Sequence, residues 1–492
     1  MSIYKQKDGF RFGKIAIFFI EWVWLFAITS FTVIKYSPTG LHADILINSL
    51  MSLRNVTLFY WGQNRLINIL PFLALPFRDP ALNLAIILFI SSLSIFLLLL
   101  VISKVSSRFI GNPAGSPHQT IIFLLISSLF VLILNGSGIA VIAIGHIEYS
   151  MPFLFALLAV YLIWFGPFVK RANYFLSVVL VFLSMGLNPS TLVVLMFLCF
   201  ARILYNRKFQ AQDLLISISA STSFIAWAVI SRIYGDVPYG KYVINKVVPG
   251  ILSASSGLAG LIDIPFSLFL MAAFTAYKCY EIASFKARND SPVIAYTFYA
   301  IGFTSFFWII FFSGNYWVVA NDFNVRYFIY LIFGMFIAMG VELGGILKTL
   351  KKGVIAIIVL TFVCFASVAS YATLIPYSKF SIFEEVNQLS PNSYDFYAGD
   401  YWVVWPSVLR DQMQGKISHA FTDRAEANKE SALRSANSHF QNTGFITVLC
   451  LKRKSEECIK QTKDIVGAVE LEAAEVINNK VTALKIIKKA KD

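Results

Sequence analysis

Between residues 15 and 34 the chain passes through an unbroken apolar run whose only charge is Glu21. At about 1.5 Å per residue such a stretch covers roughly 30 Å, the thickness of a bilayer's hydrocarbon core. Runs of this kind recur down the chain, and they restrict what it can become. In hydrocarbon each backbone N–H and C=O needs a partner within its own helix or within a closed barrel. These runs are continuous rather than alternating, which predicts helices. We place spans at 14–35, 81–103, 119–136, 151–168, 173–187, 191–205, 212–231, 262–282, 292–313, 327–347 and 353–374, about eleven in all. The pair at 173–187 and 191–205 is short and straddles Asn188-Pro189-Ser190. It reads as tilted or partly re-entrant. The first run is too long for the core of a cleavable signal, so an uncleaved first helix is expected. Glu21 is a functional hint by its position, but pairing with a neighbouring helix is the favoured reading.

Composition agrees: 57% of residues are hydrophobic and 14% charged, where a soluble domain carries about 25% charged. The net charge of +14 invites a nucleic-acid reading, which its distribution removes. Up to residue 374 there are 25 basic and 12 acidic residues; beyond it there are 16 and 15. The excess belongs to the apolar part. Seventeen of its basic residues fall in segments on the side of the N-terminus, including Lys5, Lys7, Arg11, Lys14, Arg207, Lys208, Lys351 and Lys352, and eight fall on the other side. Basic residues mark cytoplasmic loops. A cytoplasmic N-terminus follows, and an odd number of spans puts the C-terminus outside.

The composition changes near Pro376. Residues 1–375 read as a multi-span domain and 376–492 as a soluble one. In the latter, 394–405 reads as a strand running into a helix, 416–421 and 444–451 as strands, and 464–488 as a helix, which together make a small α/β domain. Cys450 and Cys458 could pair if the domain lies in an oxidising compartment. Cys199, Cys279 and Cys364 read as core filler.

No phosphate-binding loop, dinucleotide fingerprint, His-Glu-x-x-His or Cys-x-x-Cys is present in the sequence. Chemistry-bearing residues gather instead in three outside segments. The first, 36–80, holds His42-Ala43-Asp44 and Tyr60-Trp61-Gly62-Gln63-Asn64-Arg65; residues 44–53 read as a short helix along the membrane surface, which Asp44 could cap. The second holds His146 and Glu148. The third, 314–327, holds Asp322, Arg326 and Tyr327. Segment 232–261 contains Ser253-Ala-Ser-Ser-Gly257, read as a flexible lid or, more simply, a connector. Attack of a hydroxyl on a substrate with a phosphate leaving group needs a carboxylate to take the proton and a cation to offset charge on the departing phosphate. Asp44 fits the base, with Glu148 and Asp322 next in line. Arg326 or Arg65 fits the phosphate partner, and Trp61, Gln63 and Asn64 suit a sugar. Tyr60, His146, Glu148, Asp322 and Tyr327 complete the substrate-binding set. The tail lacks a comparable constellation and is assigned to acceptor binding.

The early acid in the first outside loop, the many spans and the outside C-terminal domain resemble the GT-C class of membrane glycosyltransferases. Within that class the loop from Asp44 to Arg65 is similar to that of bacterial and phage-encoded O-antigen glucosyltransferases of the serotype-converting type. The resemblance implies a polyprenyl-phosphate sugar donor, a glycan acceptor such as O-antigen, a hexose (glucose) as cargo, and inverting transfer on the periplasmic face of the inner membrane. Class members often carry a pair of acids in this loop. Here His42-Ala43-Asp44 supplies one, which leaves a divalent metal open. The competing readings are a transporter or flippase for a lipid-linked saccharide, and an O-antigen polymerase or acyltransferase.

Overall fold

The computed structural model describes residues 2–61, 67–109, 116–166, 170–206, 208–234, 242–262, 301–349, 351–371, 373–422, 426–451 and 455–488. Gln63, Asn64, Arg65 and Cys279 lie outside the described residues, as do the expected span 262–282, except for its first residue, and the start of 292–313. The chain is a polytopic helical membrane protein. Six described helices are long and apolar enough to cross a membrane: Ile15–Gly40, Pro80–Arg108, Ile147–Phe165, Ala211–Ile233, Val325–Gly345 and Lys352–Ser370. Shorter apolar helices lie between them, among them Pro117–Ile133, Arg171–Leu187, Thr191–Phe200 and Ile301–Phe312.

The chain divides into two compact units. One comprises Met1–Lys35, Ser91–Ile233 and Val237–Ala372. The other joins Tyr36–Ile90 and the short Tyr234–Asp236 to Thr373–Asp492. Residues 36–90 and 373–492 therefore fold together.

In the helical unit, small polar side chains stitch the apolar helices. Glu21 is buried and accepts hydrogen bonds from Gln119 Nε2 at 3.0 Å and Thr120 Oγ1 at 2.7 Å. One turn on, Trp24 Nε1 donates to Ser127 Oγ at 2.8 Å. The carboxyl thus has the structural role favoured for it, since a polar group in hydrocarbon is costly without partners. The pair Lys170–Leu187 and Thr191–Asn206 turns at Asn188, whose side-chain oxygen accepts from the Ser190 amide at 3.1 Å.

Residues 253–257 are neither lid nor connector: they lie inside the helix Val247–Gly260. Gly250 and Gly257, seven positions apart, share one face of it. A Cβ on Gly250 would stand 2.7 Å from the Ser313 carbonyl oxygen, and one on Gly257 would stand 3.1 Å from Val325 Cβ. The glycines permit backbone packing too close for any side chain, which a run of small residues signals as readily as flexibility. Cys199 is buried as expected, but Cys364 is exposed on its helix.

The C-terminal part of the second unit carries a five-stranded mixed sheet. β1 (Phe396–Gly399), β2 (His419–Phe421), β3 (Phe445–Leu451), β4 (Val469–Asn478) and β5 (Val481–Lys488) lie in the order β2-β1-β3-β5-β4. β1 pairs parallel with β2 and β3; β5 pairs antiparallel with β3 and β4. The first strands are apolar runs buried on both faces, as parallel strands require. Helices Tyr401–Met413 and Glu426–Thr443 cross between them. The core includes Phe396, Phe421, Ala432, Ile446, Val448, Leu484 and Ile486.

The expected helix over 464–488 is a correction. Helix Ser455–Val466 ends at Gly467, whose φ of +84° suits glycine at a helix C-terminus. A hairpin follows. Val469 and Leu471 alternate with Glu470 and Glu472, the period of a strand, and the Asn478 side chain accepts from the Lys480 amide at 2.9 Å to make the reversal. Apolar residues further on, at spacings that also fit a helix, masked this two-residue period.

Cys450 and Cys458 form a disulfide that joins β3 to the first turn of helix Ser455–Val466. It closes a loop of sequence separation 8, which chain entropy values at about 2–3 kcal/mol. Replacing both cysteines with serine is therefore expected to lower the urea midpoint of the tail's unfolding. An unchanged midpoint would mean that the unfolded state gains nothing from release of the loop.

Candidate functional site

The described residues bring the sequence-selected side chains together in two clusters, one in each unit. The cluster of the second unit surrounds Asp44. Helix Ala43–Leu53 forms where expected, but it is not a surface helix: nine positions are buried, from Ala43 to Ser52. A helix with no charge after Asp44 has no solvent face to offer. Its polar residues are satisfied internally. Ser49 Oγ donates to Asn83 Oδ1 at 2.8 Å, Asn83 Nδ2 donates to Ser52 Oγ at 2.9 Å, and Asn68 Nδ2 donates to Asn48 Oδ1 at 2.8 Å.

Asp44 lies in the first turn, while the cap position belongs to His42, whose side chain makes no capping bond. The Asp44 carboxylate points to two phenols. Tyr401 Oη donates to Oδ1 at 2.7 Å, and Tyr60 Oη lies 3.4 Å from the same oxygen and 3.0 Å from the Asp44 carbonyl. His42 Nδ1 stands 3.9 Å from Oδ2, and the carboxylate keeps 22% of its surface open. The His42 ring meets Trp402 edge-on at 6.2 Å, and Trp61 packs against Trp405 at 5.9 Å.

Tyr401 reaches this place because β1 ends abruptly. Gly399 turns with φ +119°, and a Cβ there would stand 3.0 Å from the Leu451 backbone. Asp400 then caps the next helix by accepting from the Trp402 amide at 3.0 Å. The carboxyl ends of parallel strands are where open α/β sheets present their working residues. At the far end of helix Tyr401–Met413, Arg54 donates to Gln412 Oε1 at 3.0 and 3.2 Å and to the Ser418 carbonyl at 2.8 Å. Helices Ala43–Leu53 and Tyr401–Met413 are thus tied at both ends, Asp44 to Tyr401 and Arg54 to Gln412. Burial draws the Arg54 guanidinium down to about 10 against the pull of Asp411, so it stays cationic.

His419 on β2 is buried, and burial followed by the Arg54 cation pushes its imidazole down to about 4. Unfolded, it takes up a proton near 6.5. Between those values the unfolded chain binds the extra proton, so this contribution to stability is complete above about pH 6.5 and is lost as the pH falls toward 4. The melting temperature of the second unit is expected to drop over that window, and His419→Gln to flatten the drop. An identical pH dependence in the variant would assign the effect to other groups.

The cluster of the helical unit forms where a helix breaks. Helix Gly136–Ile139 continues as a π-helical turn, Ala140–Gly145, and stops at His146, whose backbone leaves the helical region before helix Ile147–Phe165 begins. Such interruptions free side chains and backbone for function. His146 Nδ1 lies 2.8 Å from Glu148 Oε1, and Asn188 Nδ2 donates to the Glu148 carbonyl at 3.1 Å. The Arg326 guanidinium donates to Tyr327 Oη at 3.1 Å, and Tyr149 and Glu148 lie within its electrostatic reach. Asp322 stands apart. It is exposed in a left-handed backbone conformation, φ +50°, and its carboxylate has no partner among the described residues. Aspartate tolerates that conformation, which shapes the bend before Arg326.

A narrow apolar cavity lies against helix Ile147–Phe165, lined by Phe153, Leu157, Val160, Trp164 and Tyr330. The Tyr330 ring lies 5.7 Å from that of Tyr149 and 5.2 Å from that of Phe153. From Phe153 to Trp164 the helix rises roughly 16 Å. Among the described residues no three His, Cys, Asp or Glu side chains converge as a metal site.

Sequence reasoning missed Tyr401, Trp402 and Trp405, which sit in the tail assigned to acceptor binding. The only signal for them was aromatic density at the start of a helix. It also missed Tyr149 and Tyr330, apolar by context. No protein-family model matches this chain, and no curated protein matches it at a significant level.

Proposed function

We propose that this chain is an integral membrane glycosyltransferase that uses a polyprenyl-phosphate hexose as donor. Its helices form about eleven spans in the bacterial inner membrane, with a cytoplasmic N-terminus and residues 376–492 in the periplasm. The disulfide in that domain suits an oxidising compartment. The acceptor is a cell-surface glycan such as O-antigen, and the cargo is glucose by resemblance to the serotype-converting enzymes.

The observation that carries this reading is Asp44: a partly open carboxylate held by two phenols beside His42 and Trp402. A carboxylate so placed accepts the proton of an attacking hydroxyl, and aromatic faces suit a sugar. In the reaction the acceptor oxygen bonds to the anomeric carbon as the bond from that carbon to the phosphate oxygen breaks. Asp44 takes the hydroxyl proton, and polyprenyl phosphate leaves with the bonding pair. Within the helical unit the Arg326 guanidinium, bonded to Tyr327 Oη at 3.1 Å, is a group of the kind that binds phosphate. The break at His146 favours one other reading, a flippase for a lipid-linked saccharide.

Purified protein incubated with a polyprenyl-phosphate glucose and candidate glycans decides between them. Glycosyl transfer with matching release of polyprenyl phosphate is the expected result. Movement of intact lipid-linked sugar across vesicles, with no new glycosidic bond, would overturn the proposal.

A further inference from the structure

Helix Tyr401–Met413 belongs to a soluble domain, yet its first residue touches the carboxylate of an acid some 357 positions earlier in sequence. We infer that Tyr401 is a positioning residue for the transfer reaction, so that the C-terminal domain completes the site chemically. This inference rests on the reading of Asp44 as the general base.

Tyr401 Oη donates to Asp44 Oδ1 at 2.7 Å, in the range of a strong bond to a charged acceptor. Tyr60 approaches the same oxygen at 3.4 Å and spends its better bond on the Asp44 carbonyl, at 3.0 Å. Oδ2 lies on the side where His42 Nδ1 stands 3.9 Å away. Among the described residues, the groups seen to face the carboxylate include His42 and Tyr60 from its own segment and Tyr401 from helix Tyr401–Met413. A phenol bonded to the charged form favours that form, so it widens the pH range over which the base is available. The phenol is held rigidly: Gly399, with Gln461 Oε1 accepting from its amide at 2.7 Å, fixes the turn, and the Asp400 cap fixes the helix start.

The test is the pH dependence of transfer by the full-length protein with a polyprenyl-phosphate hexose and a glycan acceptor. Tyr401→Phe keeps the ring and removes the donor. We expect kcat to fall about tenfold, as loss of a bond to a charged group costs, and the acid limb of the profile to move up by about one pH unit. Incorporating 3,5-difluorotyrosine at position 401 keeps ring and bond while strengthening the donor, and should move the acid limb the opposite way. A limb that stays fixed in both proteins overturns the inference even if turnover falls, because a merely structural role would lower activity without moving it. Asp44→Asn separates this failure from the larger one. A fixed limb beside an inactive Asp44→Asn removes Tyr401 alone, whereas an active Asp44→Asn removes the base and this inference with it.

Discussion

Replacing Asp44 with asparagine is expected to abolish transfer and leave the protein inserted and folded. The acceptor hydroxyl must lose a proton as the glycosidic bond forms; a carboxylate can take it and an amide cannot. A general base contributes about 10²–10⁴-fold, so the residual rate should lie that far below wild type. The fold has little reason to object. The asparagine side-chain oxygen can accept from Tyr401 and Tyr60, as the carboxylate does at 2.7 and 3.4 Å. The losses include the charge assistance of the Tyr401 bond and a favourable interaction of the negative charge with the helix N-terminus, the latter worth about 0.3–1 kcal/mol. Were Asp44 only a structural residue of the helix Ala43–Leu53, the substitution would be nearly silent. Turnover in detergent, with a melting curve of the same preparation, distinguishes the two.

Deleting residues 373–492 is expected to be as damaging to transfer by a different route. Those residues form one compact unit with Tyr36–Ile90. Helix Ala43–Leu53 buries Ile45, Leu46, Ile47, Leu50 and Met51, and helix Tyr401–Met413 is tied along it. Each large apolar side chain returned to water costs about 1.5–3 kcal/mol, so the early segment should lose its structure once the tail is gone. Arg326 belongs to the other unit, so labelling by a photoreactive polyprenyl phosphate should survive. Limited proteolysis should then cut within residues 36–90, with labelling retained and transfer absent. Transfer by the truncated chain, or loss of labelling in a chain that still inserts, would contradict this division.

The helices were legible because a bilayer leaves few options: long apolar runs in hydrocarbon must be helical, and Glu21 advertised itself as a charge in the wrong solvent. Asp44 was legible for the same reason, as a lone acid at the edge of an apolar segment. Its setting was not. A hydrogen bond between residues 44 and 401 leaves no local trace in either segment, and helix Ala43–Leu53 reads as interfacial until the tail that covers it is seen. The hairpin β4–β5 was lost because periods of two and 3.6 overlap over short stretches, and the glycine and asparagine that punctuate it weigh little beside the apolar residues. The disulfide was half legible, since spacing permits it and only the packing of β3 on its helix brings the sulfurs together.

The tie between Arg54 and Gln412 also sets a timetable. The two residues are 358 positions apart, and at about 5–20 residues per second a ribosome needs roughly 20–70 s to pass from one to the other. Throughout that interval helix Ala43–Leu53 waits at the membrane without the neighbour that will cover it. Synthesis runs from the loop to the tail, whereas assembly can begin only when the tail arrives. A stop codon ahead of Tyr401 would therefore strand an apolar helix made hundreds of residues earlier, and quality control would meet the defect far from the altered codon.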